Sequence, residues 1–186
     1  KGIKALFDAP NVQYWLTSAN PDPGYNLYCY PNKVIGGVLR AMVAYSKIAE
    51  SKKDRDDALT MAKHSADYLW SKRSSPTARY ANITPTYLSN VDVPTPEAAD
   101  GAKKQWLMVN SAIDAALGFL DLYDVTQEPK YLNAAKEIAY TLSATQESDG
   151  TWPLLVNFET GQPIHMQRLN PTWVIFFFDR LDKKHN

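Results

Sequence analysis

Over residues 32–50, the apolar positions Val34, Ile35, Val38, Leu39, Met42, Val43 and Ile48 recur at three- and four-residue intervals, the period of one helical face. Ala and Gly fill most of the intervening positions and leave little polar surface, so this helix is predicted to lie inside. Over residues 54–72 the stripe is narrower: Ala58, Leu59, Ala62, Ala66 and Leu69, with Lys63, His64 and Asp67 between. That is the pattern of an amphipathic helix with one face in water. The succession then returns. Residues 109–127 are almost wholly apolar, and residues 128–146 are amphipathic, with Pro129 suited to a first helical turn. Ile35 aligns with Val109 and Leu59 with Leu132, at offsets of 74 and 73 positions (109 − 35 and 132 − 59), so the first hairpin turn is one residue longer.

A third apolar helix is predicted from Pro171, "PTWVIFFFDRLDKK", and residues 1–18 offer short helices in "KGIKALF" or "VQYWLT". Each unit is thus an apolar helix, a short turn, an amphipathic helix and a long return. Neither hairpin covers its own apolar helix, and stacking hairpins side by side buries the apolar members. The predicted class is all-α: repeated antiparallel helical hairpins in a partial or complete α/α-toroid. Left open, the same stack is an arc. The two returns, 73–105 and 146–170, contain strand-like alternation in "TARYANITPTYL" and "TWPLLVNFETGQPI", so short β-hairpins are expected there. "SDGTW" and "ETGQP" read as turns.

Composition narrows the function classes. The 186 residues make one domain with room for a core. Twenty Lys and Arg balance twenty Asp and Glu, so net charge points to neither nucleic acid nor an anionic membrane surface. No run is long and apolar enough to span a bilayer. Cys29 is the single cysteine, which reads as a buried packing residue and suits a reducing compartment or an exported bacterial protein without disulfides. Periplasmic or secreted placement is favoured.

The unusual feature is aromatic: five Trp, eleven Tyr and six Phe, many of them in the connections. In a hairpin stack all returns emerge at one end of the inner helices. That end gathers Tyr25, Tyr28, Tyr30 and Lys33, then Lys103, Lys104, Gln105 and Trp106, then His165, Gln167 and Arg168. Aromatic rings offer stacking surfaces for sugar C–H faces, and the polar groups offer hydrogen bonds to hydroxyls and carboxylates.

The segment "KYLNAAKEIAYTLSATQESDGTWPLLVNFETGQP" resembles the outer-helix-and-loop signature of bacterial carbohydrate-active α/α-toroids, a group of six-hairpin glycosidases, toroid polysaccharide lyases and sugar epimerases. Gln146, Asp149, Gly150, Trp152, Pro153, Thr160, Gly161 and Pro163 carry the resemblance. It implies a glycoside hydrolase or a uronate lyase acting on a bacterial, plant or host oligo- or polysaccharide. A divalent cation accompanies the lyase reading. A complete toroid has more helices than this chain has room for, which implies an arc, a part of a larger ring, or a ring completed by another chain segment or a second copy. The first repeat lacks the Trp-Pro turn: Arg79 stands where Trp152 stands in the second.

A hydrolase needs two carboxyl groups. The loop acids are Asp22, Asp92, Glu97, Asp100 and Glu159, and Asp114 stands out on an otherwise apolar helix. It reads either as a partner for a neighbouring helix or as a cavity-facing carboxylate raised by burial. A lyase needs cations and a base, for which Lys33, Arg79, Tyr80, Lys104, His165 and Arg168 form the inventory. The catalytic candidates are His165, Arg168, Asp114 and Tyr80. The substrate-binding candidates are Trp152, Trp106, Lys104, Gln105, Arg79, Tyr25 and Lys33. Trp152 reads more readily as a plug in the core than as a stacking platform. One cysteine and three scattered histidines give no metal site. The competing reading is a non-catalytic glycan- or protein-binding helical-repeat module. A prenyl-processing toroid fits less well, because the Asp-rich motif is missing.

Overall fold

The computed structural model describes residues 2–88 and 101–185 and is mostly helical. Asp92, Glu97 and Asp100 lie outside the described residues. The chain opens with α1 (Gly2–Phe7) and α2 (Pro10–Thr17), so both short N-terminal helices form. The first long hairpin pairs α3 (Gly36–Ile48) with α4 (Lys52–Ser71), and the second pairs α5 (Val109–Thr126) with α6 (Pro129–Ala144). The last helix, α7 (Thr172–His185), follows the second return. Among the described residues, no helix is long and apolar enough to cross a membrane.

Helix α3 packs on α4 and on α5, and α5 packs in turn on α6 and α7. The apolar helices therefore make one layer and the amphipathic helices cover it. Ile35, Leu39, Met42, Ala116, Leu117 and Leu120 are fully buried at the centre. On the outside, α4 and α6 are tied by ion pairs, Lys63 to Glu128 (2.7 Å) and Lys130 to Asp67 (2.8 Å). Helix α4 starts two residues earlier than the hydrophobic pattern suggests, because the Ser51 hydroxyl caps it by accepting from the Asp54 N–H (3.0 Å). Helix α3 is shorter than its pattern, because residues 31–35 form a π-helical turn instead.

The β-structure differs from the expected pair of hairpins. Strand β1 (Trp106–Met108) pairs antiparallel with β2 (Leu155–Asn157), with Leu107 opposite Val156, so one return supplies each strand. Residues 77–88 form turns and single ladder-like bonds rather than a strand: the Arg79 and Tyr80 N–H groups donate to Glu159 O and Phe158 O, and the Thr86 N–H donates to Trp106 O. The "ETGQP" turn does form. Gly161 adopts φ 79° and donates to Asn157 O, which lets Pro163 come back beside Val156. Helix α7 buries Val174, Phe177 and Leu181 but exposes Trp173, Ile175 and Phe176.

Candidate functional site

The helix layer begins, at its loop end, with an irregular turn. Pro31 removes a backbone donor, and Pro31–Ile35 winds as a π-helical turn before α3 becomes regular. Such turns are rare and concentrate at functional sites. The return segment is drawn over this turn because the Leu88 N–H donates to Cys29 O (2.9 Å). The same segment is laced to β1: Thr86 donates through its N–H to Trp106 O (3.0 Å) and accepts at Oγ1 from the Met108 N–H (2.6 Å). Tyr30, Asn32, Lys33, Thr86, Tyr87, Met108 and Ser111 consequently enclose a cavity of about 190 Å³. The rings of Tyr30 and Tyr87 meet edge to face at 5.5 Å. Lys33 is exposed, whereas Asn32 is 1% exposed. The Asn32 amide donates from Nδ2 to Thr84 O (2.6 Å), and its Oδ1 has no partner among the described residues.

Three residues beyond Ser111 on α5, hence on the same helical face, stands Asp114. Burial raises its carboxyl above the ordinary range, and the nearby Arg40 and Lys33 charges only partly counter this. Arg40 Nη1 lies 3.6 Å from Asp114 Oδ1, and Arg40 Nε lies 3.3 Å from Asp121 Oδ2. Arg180 of α7 extends the chain of charges, reaching Asp121 (2.7 Å) and Asp124 (2.9 Å). One ion-pair network therefore joins α3, α5 and α7. Within it Asp121 is held by two guanidinium groups, whereas Asp114 keeps 46% of its side chain accessible and contacts only one edge of Arg40.

A second group of predicted residues collects at the C-terminal end of α6. Arg79, Tyr80, Gln146, Glu147 and Ser148 line a more polar hollow of about 370 Å³. Arg79 donates to Ala144 O (2.9 Å), and Arg168 pairs with Glu147 (2.5 Å), so both cations are already engaged. Tyr80 is buried and bonded to Thr145, and burial pushes its phenol up, which disfavours the phenolate that a base requires. Trp152 is 2% exposed and donates from Nε1 to Leu142 O (2.7 Å). Of its two readings, the core plug describes its surroundings, and its ring faces no solvent.

The predicted residues thus separate. Lys33 and Asp114 share the helix-end site; Arg79, Tyr80 and Arg168 share the hollow beside α6. His165 is exposed and has no hydrogen bond or ion pair among the described residues, so it does not pair with Arg168. Tyr25 packs edge to face on Tyr28 (4.8 Å). Trp106 lies under Lys103 (5.3 Å), Lys104 is exposed, and Gln105 accepts from Asn157 Nδ2 (3.0 Å). The sequence reading missed Asn32, Arg40, Thr86, Tyr87 and Ser111. Only Arg40 carried a signal, as a charge in the middle of an otherwise apolar stretch.

Comparison of the chain with known protein families, characterised proteins and solved structures gives no match. The resemblance to carbohydrate-active toroids rests on the residues that carry it.

Proposed function

We propose that this protein is carbohydrate-active and that a glycan engages the loop end where α3 and α5 begin. The observation that carries the reading is a cavity faced by Tyr30 and Tyr87 on the same α5 face as Asp114, whose carboxyl burial raises. Tyrosine rings suit the C–H faces of a pyranose, and Lys33 and Ser111 suit its oxygens. In glycoside hydrolysis, protonated Asp114 would give its proton to the glycosidic oxygen, the bond to the anomeric carbon would break, and water would add at that carbon while returning a proton to the Asp114 carboxylate. A uronate substrate would set its carboxylate against Lys33; among the described residues no group of three His, Cys, Asp or Glu side chains would hold the divalent cation that could share that charge.

The test is incubation of the protein with neutral and acidic polysaccharides, with and without Ca²⁺. Reducing ends are measured for hydrolysis and ultraviolet absorbance of unsaturated uronates for elimination. Product formation that Asp114→Asn reduces at least a hundredfold supports the hydrolase form. The reading is abandoned if no polysaccharide is bound or cut.

One observation favours the non-catalytic alternative, a glycan-binding module. Asp121, the neighbouring carboxylate in the network, is occupied by Arg40 and Arg180 rather than free to activate water. Binding without turnover in the same assays selects that form. For the wider architecture, the exposed Trp173, Ile175 and Phe176 support a helix layer that continues past α7 into a larger arc or ring.

A further inference from the structure

The outer helices occupy a repeating position. Helix α6 lies against α5 and is tied to α4, the outer helix before it, so it fills the groove between α4 and α5. Lys63 and Asp67 of α4 receive its first residues: Lys63 pairs with Glu128, and Asp67 with Lys130. One unit on, the same groove lies between α6 and α7, and among the described residues no helix fills it. It stands open as a hollow of about 260 Å³, walled by Lys136, Ala139, Tyr140 and Ser143 of α6 and by Phe178, Leu181 and Asp182 of α7. The four α6 residues are the repeat equivalents of Lys63, Ala66, Asp67 and Trp70, each displaced by 73 positions (136 − 63, 139 − 66, 140 − 67 and 143 − 70). The face of α4 that receives α6 thus recurs on α6 itself.

The two copies of this face differ in what covers them. Ala66 is fully buried, whereas Ala139 is only partly so and Tyr140 is 68% exposed. Lys63 has Glu128, whereas Lys136 has no hydrogen bond or ion pair among the described residues. At the other end of the layer α1 packs on α3 and α2 on α4, with Phe7, Val12 and Trp15 buried beneath them. A short hairpin caps that end, as the terminal units of a helical stack require, and among the described residues the α6–α7 end has no such cap.

The lining defines what fits. Phe178 and Leu181 suit small and aliphatic side chains, the kind that α6 itself buries with Ala134, Ala135 and Ile138. Lys136 suits a carboxylate, and Asp182 on the opposite wall repels a second one. Tyr140 stands where Asp67 stands in α4, so an apolar side chain suits the place that Lys130 takes on α6. A second copy of this chain offers no such helix, because α2, α4 and α6 bury their apolar faces in their own layer. We infer that the groove between α6 and α7 seats one more outer helix, supplied from outside residues 1–186. That helix is amphipathic, opens on an acidic residue that pairs with Lys136, and is apolar where it crosses Tyr140, Phe178 and Leu181. The inference rests on the reading that the helix layer continues past α7, and it is independent of the glycan.

The experiment uses the full chain, isotopically labelled for NMR, titrated with a synthetic peptide of residues 128–146 carrying Lys130→Leu, a copy of this protein's own outer helix fitted to Tyr140. Because an isolated helix of this length is marginal in water, the peptide is also joined to the C-terminus through a Gly-Ser linker, which holds it at an effective concentration on the order of mM. The expected result is that the Tyr140, Phe178 and Leu181 signals shift. Glu128→Lys in the peptide weakens binding about fivefold, and Lys136→Glu in the protein restores it, the mark of one ion pair in this groove. Tyr140→Glu, at an exposed position where the fold does not depend on the ring, weakens binding about tenfold. If charge reversal changes nothing, or if the peptide moves Trp173, Ile175 and Phe176 while Tyr140 stays still, the α6–α7 seat is wrong and the continued layer stands. If neither the free nor the joined peptide shifts either set, both are overturned. If sedimentation shows the unaltered chain pairing with itself and Tyr140→Glu separates the pair, the occupant is a second copy and the inference is overturned.

Discussion

At Gly118, α5 packs directly against the Leu39 side chain of α3. A Cβ placed there lies 2.6 Å from Leu39 Cδ2, 3.0 Å from Leu39 Cγ and 3.3 Å from Arg40 Cγ. Leu39 is fully buried and has no solvent to swing into. Gly118→Ala therefore forces the helices apart or Leu39 off its rotamer, an overpacking cost of about 1–3 kcal/mol. Against this stands the gain of about 1 kcal/mol from replacing a helical Gly by Ala. The net expectation is a loss of about 1 kcal/mol. Gly37 supplies the internal control. It is exposed in the first turn of α3, and a Cβ there meets nothing within 4 Å. Gly37→Ala keeps only the gain, at the lower end of roughly 0.5–1 kcal/mol because the position is near a helix end.

The same substitution on facing helices thus has opposite signs, separated by about 1.5 kcal/mol. Urea unfolding followed by far-ultraviolet circular dichroism reads this directly, provided the slope with denaturant is unchanged between variants. Thermal midpoints shift by about 2–4 °C per kcal/mol at this chain length. The Gly118 change also displaces the stem of Arg40 and with it the contacts to Asp114 and Asp121. If Gly118→Ala proves as stabilising as Gly37→Ala, the close approach of α3 and α5 is wrong, and the network that presents Asp114 falls with it.

Trp152→Phe keeps one six-membered ring but removes the N–H that serves Leu142 O and leaves a void in the core, and should cost about 2–3 kcal/mol in urea unfolding while leaving glycan affinity unchanged. Arg180→Leu strips Asp121 and Asp124 of a mostly buried partner; a loss of about 2 kcal/mol, between exposed and fully buried pairs, is expected in the same assay. Asp114 is raised above its ordinary 3.8 by burial, so the folded state holds its proton more tightly, and its contribution to stability falls as pH rises from 3.8 through the folded value. Asp114→Asn removes that fall, so urea midpoints from about pH 3 to about pH 7 should show the variant gaining on the parent as pH increases. Tyr28, pushed up to about 12 by burial, favours the folded state while neutral, and that advantage is lost as pH rises from the ordinary 10 through about 12. Spectrophotometric titration should show a tyrosine fraction that ionises only together with unfolding.

Helical hairpins were legible because their signal is local: the spacing of Val38, Leu39, Met42 and Val43 follows from how one helix meets one core. The limits of that signal appear at its ends. Ile48 belongs to the apolar pattern yet is 65% exposed, because it is the last residue of α3, and "WVIFFF" buries only Val174 and Phe177. Asp114 was visible as a charge in apolar surroundings, and Lys33 with Tyr30 as part of a loop-end cluster, but their other neighbours were not. Thr86 and Tyr87 reach the site only because the Leu88 N–H finds Cys29 O and the Thr86 N–H finds Trp106 O, bonds that span 59 and 20 positions (88 − 29 and 106 − 86) and leave no periodic trace. Asn32 reads as an ordinary polar residue after proline; its significance arises because Thr84 O takes one end of the amide and nothing described takes the other. The resemblance motif led elsewhere for the same reason. Gln146, Asp149 and Trp152 close on themselves, through Gly150 O, the Thr151 N–H and Leu142 O, and so shape the return without entering the helix-end cavity. A motif that satisfies its own hydrogen bonds marks architecture, whereas Asp114, a carboxylate that keeps 46% of its side chain accessible beside the helix-end cavity, still has bonds to offer a ligand.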